Sequence, residues 1–110
     1  MGKNIEYNND VIPAVNDTVE VFFRDTGIDI TENPFKWYFA LDTHASQIFV
    51  KTDQIAQITE INGISPKSPI PLAANSAFTH SEVFGRYLKY TQIKIKVLIA
   101  NTLVEVFGCC

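Results

Sequence analysis

Two histidines are the residues of this chain whose chemistry could support acid-base catalysis or metal binding. His44 lies two positions after Asp42, so the imidazole and the carboxylate would share one side of an extended backbone. His80 lies in a second polar stretch, far along the chain. A zinc site needs further ligands of this kind, and acid-base catalysis needs a reacting group within hydrogen-bond reach. We therefore interpret the stretch around His44 as a polar loop and His80 likewise as a residue without a catalytic role; a hydrolase or isomerase would require His44 and His80 to converge in one pocket.

Longer catalytic motifs are missing from the sequence. Glycine-rich phosphate loops, the G-x-S-x-G elbow, the H-E-x-x-H pair and C-x-x-C pairs are all absent. The only cysteines, Cys109 and Cys110, are adjacent and terminal, so they cannot join distant strands or complete a structural zinc site. We expect reduced thiols on a frayed tail, with an interchain disulfide as the alternative. The sequence predicts a protein without catalytic residues, cofactor or metal.

Size and composition predict one domain with its own core. The chain has 110 residues, of which 46% are hydrophobic. Its formal net charge is -3 without a long block of one sign, which disfavours nucleic acid as a partner. No apolar run approaches the ~20 residues of a membrane-spanning helix, and the polar N-terminus lacks a secretory signal. We expect synthesis in a cytoplasm and no membrane partner.

Alternation of apolar and polar residues predicts strands along most of the chain. The clearest stretch, residues 93–108, carries Ile93, Ile95 and Val97 on one face and continues with Val104 and Val106, as expected for an antiparallel hairpin. Other strands are predicted at residues 18–24, 28–31, 36–41, 47–52 and 77–84. A hairpin alone is marginal in water, so these strands must cover its apolar face.

The connecting segments complete the prediction of the fold. Residues 53–64 could form a helical turn or a strand ending at Asn62-Gly63, and we favour the strand because Asn-Gly is a strong hairpin signal. Prolines at 66, 69 and 71 predict an extended segment at an edge or between sheets. About eight short strands indicate an all-β fold, an antiparallel β-sandwich or jelly roll over residues 18–110, preceded by a loose N-terminal arm, residues 1–17.

Several large apolar residues fall on the strand face opposite the predicted core. A monomer with a solvated sheet face should not carry so many of them. Either loops or a third layer cover them, or another subunit does, and we favour the subunit because so short a chain has little left to cover both faces. The predicted interface residues are Phe22, Tyr38, Phe49, Leu98, Leu103 and Phe107.

The C-terminal half carries a loose motif of the form L-x-A-N-x-x-F-T, G-x-Y and I-x-V. Its pieces are P-L-A-A-N-S-A-F-T (71–79), G-R-Y (85–87), I-K-I-K-V (93–97) and A-N-T-L-V-E-V (100–106). Over residues 59–108 the chain resembles small β-sandwich domains of tailed-bacteriophage structural proteins, such as head-decoration proteins, head fibres and tail appendages. The resemblance implies a virion component that binds other copies of itself and a capsid or tail surface, and it carries over no catalytic residue.

The leading functional hypothesis is therefore a bacteriophage virion protein that decorates the capsid. Its expected partners are further copies of itself, with a trimer as one arrangement, and the major capsid protein or tail and neck proteins. The N-terminal arm could add a strand to a neighbour's sheet. Alternatives are a tail, neck or fibre-attachment component, or a carbohydrate- or receptor-binding module. Sugar stacking would need coplanar exposed Trp or Tyr rings, whereas this chain has a single Trp and eight Phe, which favours packing.

Overall fold

The computed structural model describes residues 5–24, 35–41, 45–65, 67–81 and 90–109. Within these ranges the chain forms nine strands and no helix. The strands are β1 (Ile5–Ile12), β2 (Thr18–Arg24), β3 (Lys36–Leu41), β4 (Gln47–Thr52), β5 (Ala56–Ile61), β6 (Ile70–Leu72), β7 (Phe78–Ser81), β8 (Gln92–Val97) and β9 (Thr102–Cys109).

The strands form a two-sheet sandwich, which confirms the all-β prediction. One sheet has the order β1-β9-β4-β7 and the other the order β3-β2-β8-β5-β6. The antiparallel pairs are nested along the chain: β5 pairs with β6, β4 with β7, β2 with β8 and β1 with β9. Such nesting describes one long hairpin wound into two sheets, which is the topology of a jelly roll. The exception is β3, which pairs with β2 in parallel.

The core lies between the two sheets. Every second residue of a strand points inward and contributes its side chain to this core. Five strands of regular alternation supply most of it, because period-two spacing turns each apolar residue to the same face. The buried positions are Val19, Val21 and Phe23 of β2, Trp37, Phe39 and Leu41 of β3, Ile48 and Val50 of β4, Ile93, Ile95 and Val97 of β8, and Val104 and Val106 of β9.

Several strand predictions are confirmed, three of them with their bounds. Strands β2, β3 and β4 occupy the predicted residues. Strand β5 ends at Asn62-Gly63, where both residues have positive φ (56° and 79°) and Ile61 and Ile64 exchange backbone hydrogen bonds of 3.0 Å. This is the geometry of a two-residue hairpin turn. The proline-rich segment supplies β6 at the edge of the five-stranded sheet.

The predicted hairpin of residues 93–108 was wrong. Strand β8 belongs to the five-stranded sheet and β9 to the four-stranded sheet, so residues 98–101 cross between the sheets. Asn101 takes positive φ (58°) in this connection, and the Thr102 hydroxyl donates to the Ile99 carbonyl at 2.6 Å. Alternation specifies which face of each strand is apolar and must be covered. It does not distinguish two strands of one hairpin from two strands that face each other from opposite sheets.

The prediction of a loose arm was wrong for residues 5–12. They form β1, which pairs with β9 of the same chain from Ile5 opposite Cys109 to Ile12 opposite Thr102. The fully buried side chain of Ile12 fixes the strand to the core. Cys109 is consequently the last residue of a strand paired on both sides and not part of a frayed tail. The predicted strand at residues 28–31, the Gly85-Arg86-Tyr87 break and Cys110 lie outside the described residues.

Candidate functional site

The outer face of the four-stranded sheet is apolar and exposed. Strand β9 directs Val104 and Val106 into the core, so its odd-numbered residues point outward. Register places Tyr7 of β1 and Phe49 of β4 on either side of Phe107. These three side chains form a row across the sheet, which we call the aromatic row, and they remain 42%, 41% and 37% exposed, respectively.

The aromatic row is held together by ring contacts along the sheet. The Tyr7 and Phe107 ring centroids are 5.2 Å apart with an interplanar angle of 45°. The Phe107 and Phe49 rings meet edge to face, with centroids 6.3 Å apart. Such pairs contribute roughly 0.5–1.5 kcal/mol beyond the area they bury. The rings therefore support one another across the three strands.

A groove of about 500 Å³ runs over the aromatic row. Besides the three rings, its walls include Ile5, Gln47, Lys51, Ala77, Glu105 and Cys109. Lys51 and Glu105 lie opposite each other on β4 and β9, one register step from the rings. The groove is thus an apolar surface with one positive and one negative side chain at its margin.

The outer face of the five-stranded sheet carries the half-buried Phe22 and Tyr38 but is otherwise largely polar around β8. The buried Gln92 amide donates from Nε2 to Glu20 Oε2 at 3.0 Å and to Glu60 Oε1 at 3.4 Å. Glu60 also forms an ion pair with Lys94, with Nζ and Oε2 3.1 Å apart. This network joins β2, β8 and β5. Because the two outer faces differ in this way, we take the outer face of the four-stranded sheet as the candidate site.

The structure divides the six predicted interface residues between different places. Phe49, Leu103 and Phe107 lie on the outer face of the four-stranded sheet. Phe22 and Tyr38 lie on the other sheet, where they are half-buried and stack with centroids 4.9 Å apart and an interplanar angle of 14°. The Leu98 side chain is half-buried in the connection between β8 and β9. The interface role of all six stays a prediction, and only the first three lie on the outer face of the four-stranded sheet.

Sequence reasoning missed the contribution of β1 to this face. Ile5, Tyr7 and Val11 all point outward and are exposed. Their spacing is itself a period-two signal, but Asn8, Asn9 and neighbouring acidic residues made the stretch resemble a polar leader. The apolar residues at alternate positions are the signal that could have identified the strand.

The free edge of β1 is closed by its own side chains. Alternate backbone N–H groups of an edge strand point away from the sheet, where a strand of another protein could pair with them. In β1 each of three such groups donates to the side chain of the residue before it. The bonds run from Tyr7 to Glu6 Oε1 (3.3 Å), from Asn9 to Asn8 Oδ1 (2.9 Å) and from Val11 to Asp10 Oδ1 (2.8 Å). The edge of β6 contains Pro71, which has no N–H to donate.

The structure does not describe the side chains of the two histidines considered for catalysis and metal binding. His44 lies outside the described residues, and of His80 only the backbone is described, paired with Ile48. Among the described residues there is no group of three or more His, Cys, Asp or Glu side chains that could hold a metal ion. Within the same ranges no helix is long and apolar enough to cross a membrane.

The aromatic side chains fit packing better than sugar stacking. Trp37 is only 5% exposed and faces the core, so it cannot form a sugar platform. The exposed rings of the aromatic row are tilted by 45° and 79° to one another, whereas a sugar platform needs coplanar rings. No protein-family model matches this chain, and no curated protein or solved structure matches it either.

Proposed function

We propose that this protein is a bacteriophage virion structural protein that decorates the capsid and binds its neighbours through the outer face of the four-stranded sheet. The exposed aromatic row of Tyr7, Phe107 and Phe49 is the observation that carries the proposal. An apolar sheet face of this kind is what a binding surface needs, and a solvated monomer gains nothing from it. The function follows from non-covalent burial and needs no catalytic group.

The energy available from the aromatic row suits an assembly contact. Full burial of one exposed Phe side chain contributes ~1.5–3 kcal/mol. Each ring of the row is still roughly two-fifths exposed. Each can therefore contribute about 1 kcal/mol to the free energy of association when a partner covers it. Association itself costs at least ~4 kcal/mol in lost freedom, so the row must act with the rest of the face and with many identical copies. A repeated surface lattice supplies those copies.

Two further observations support a virion role. The nested strand order is that of a jelly roll, a topology used by viral capsid domains and also by lectins and cupins. Fold alone does not assign function, and the resemblance of residues 59–108 to phage structural proteins favours the virion among these classes. The closed edge of β1 and the proline at the edge of β6 disfavour strand addition at these two edges, which supports contact through a face there.

Quantitative mass spectrometry of purified particles from a lysate of the source host tests the proposal. The measurement counts copies of this chain for each copy of the major capsid protein. Hundreds of copies per particle are expected for a decoration protein. A few to about a dozen copies would move the protein to a neck, tail or fibre-attachment position. Absence from particles would refute the virion role and would make a receptor- or glycan-binding module the leading alternative.

A further inference from the structure

We propose that a second copy of this chain binds the outer face of the four-stranded sheet, about a two-fold axis that runs parallel to the strands between β4 and β9. This inference rests on the proposed function, because it names the first partner of the same face. The two strands are adjacent at the centre of the sheet, with Phe49 opposite Phe107 and Lys51 opposite Glu105 in register. Each pair therefore lies symmetrically on either side of the proposed axis.

Rotation about this axis exchanges β4 and β9 between the two copies. Phe49 of one copy then faces Phe107 of the other, and by symmetry the contact forms twice. Lys51 of one copy faces Glu105 of the other, which also forms twice. Two sheets that pack face to face keep their strands within about 30° of each other, so these positions remain close across the interface. The apolar and the charged contacts are satisfied by one arrangement.

The two charges disfavour the other simple two-fold arrangements. An axis along β9 would place Glu105 against Glu105 of the second copy. An axis along β4 would place Lys51 against Lys51 of the second copy. Both arrangements bring like charges together, which costs binding energy. An axis along the aromatic row would place Lys51 against Gln47 and Glu105 against Cys109, since these residues lie on opposite sides of the row. That arrangement covers two charges without pairing them.

Self-complementarity favours a second copy over an unrelated partner. An isologous interface requires a patch that matches itself after rotation, and this face carries one positive and one negative side chain placed symmetrically about its centre. The two longer dimensions of the chain, 36 and 32 Å, leave room for the ~800 Å² that each partner buries in a standard interface. Strand addition at the closed edge of β1 would have to open existing hydrogen bonds, whereas a face-to-face dimer opens none of them.

Charge-reversal variants test the arrangement by sedimentation velocity of the full chain at increasing concentration. Wild type is expected to dimerise, and Lys51→Glu or Glu105→Lys alone should weaken the dimer by ~100-fold or more. An equimolar mixture of the two variants should dimerise again, because both cross-interface pairs become attractive in the mixed dimer. Within each chain the two like charges remain opposite each other in the mixture, so this recovery cannot come from repair of the fold. Lys96→Glu makes the same charge change on β8 of the other sheet and should leave the dimer unchanged.

Three results would overturn the inference. They are a wild-type chain that stays monomeric throughout the concentration range, single variants that dimerise as well as wild type, and a mixture that stays monomeric when each single variant is folded. Circular dichroism of each variant reports whether it is folded. If a single variant does not fold, Phe107→Ser replaces it and should give a folded monomer. If the chain is monomeric but present in particles, this dimer is refuted and the proposed function stands. If the chain dimerises but is absent from particles, the dimer stands and the virion role is refuted.

Discussion

Gly108, near the end of β9, packs against two aromatic rings of the opposite sheet, so Gly108→Ala should destabilise the fold. A Cβ at this position would lie 2.7 Å from Cδ1 and 3.0 Å from Cε1 of Phe23, and 3.1 Å from Cδ2 of Phe39. The two rings pack edge to face with centroids 5.6 Å apart, and neither is more than 2% exposed. One ring must therefore move within a closed core. Overpacking of this kind costs ~1–3 kcal/mol, and contact with two rings favours the upper half of that range.

Urea unfolding followed by the fluorescence of the buried Trp37 measures this cost. We expect the midpoint of Gly108→Ala to fall by ~1 M or more, given typical urea dependences for small domains. Phe23→Leu removes part of the obstructing ring, so the double variant Gly108→Ala/Phe23→Leu should lose ~1 kcal/mol less than the sum of its single variants. Gly63→Ala is the control: its Cβ would meet nothing within 4 Å, and its cost of ~1–2 kcal/mol comes from the positive φ of 79°. That cost should add to the cost of Phe23→Leu. Two results would refute the close packing described for β9. They are additive costs of Gly108→Ala and Phe23→Leu, and a loss of unfolding free energy below ~0.5 kcal/mol for Gly108→Ala.

Three other predictions concern buried or half-buried groups and can be checked with the same unfolding assay or by quenching. Thr52→Val should leave stability unchanged or raise it by ~1 kcal/mol, because the buried Thr52 hydroxyl has no hydrogen-bond partner among the described residues; a clear loss would reveal a missed partner. Asn62→Ala should cost ~1–3 kcal/mol, since the Asn62 side chain accepts hydrogen bonds from the backbone N–H and hydroxyl of Thr91 and from the N–H of Gln92. Asn62→Gly is the control: it loses the same hydrogen bonds, but Gly adopts the positive φ of 56° without the strain that Ala would meet. Acrylamide should quench Trp37 weakly in the native state and strongly in urea, and strong native quenching would contradict its placement in the core.

Much of the strand framework follows from alternation alone. Strands β2, β3 and β4 occupy the predicted residues because each combines period-two apolar spacing with turn residues at its ends. The Asn62-Gly63 turn was equally readable, because only residues that tolerate positive φ fit there. These features depend on local chemistry, which a sequence displays directly.

The pairing of distant strands could not be read in the same way. Alternation in β8 and β9 identifies the apolar face of each strand but does not say whether they share a sheet. Strand β1 was missed because its edge position favours polar residues: Asn8 and Asp10 bind backbone N–H groups that a central strand would pair with a neighbour. The candidate site depends on both errors, since its face joins β1 to β9 and β4. Only Phe49, Leu103 and Phe107 were predicted on it, while Ile5, Tyr7 and Val11 complete it.

The central claim is that the outer face of the four-stranded sheet binds a neighbouring copy of this chain, and that this contact holds the protein in a virion. The most direct test compares copy numbers in purified particles, by quantitative mass spectrometry, for wild type, Phe49→Ser/Phe107→Ser and Val15→Ser/Ile64→Ser. The last variant also removes two exposed apolar side chains, but they lie in turns away from this face. We expect the wild-type and control chains at equal copy number, with the Phe49→Ser/Phe107→Ser chain folded in the lysate and absent from particles. Equal copy numbers of all three chains would contradict the claim.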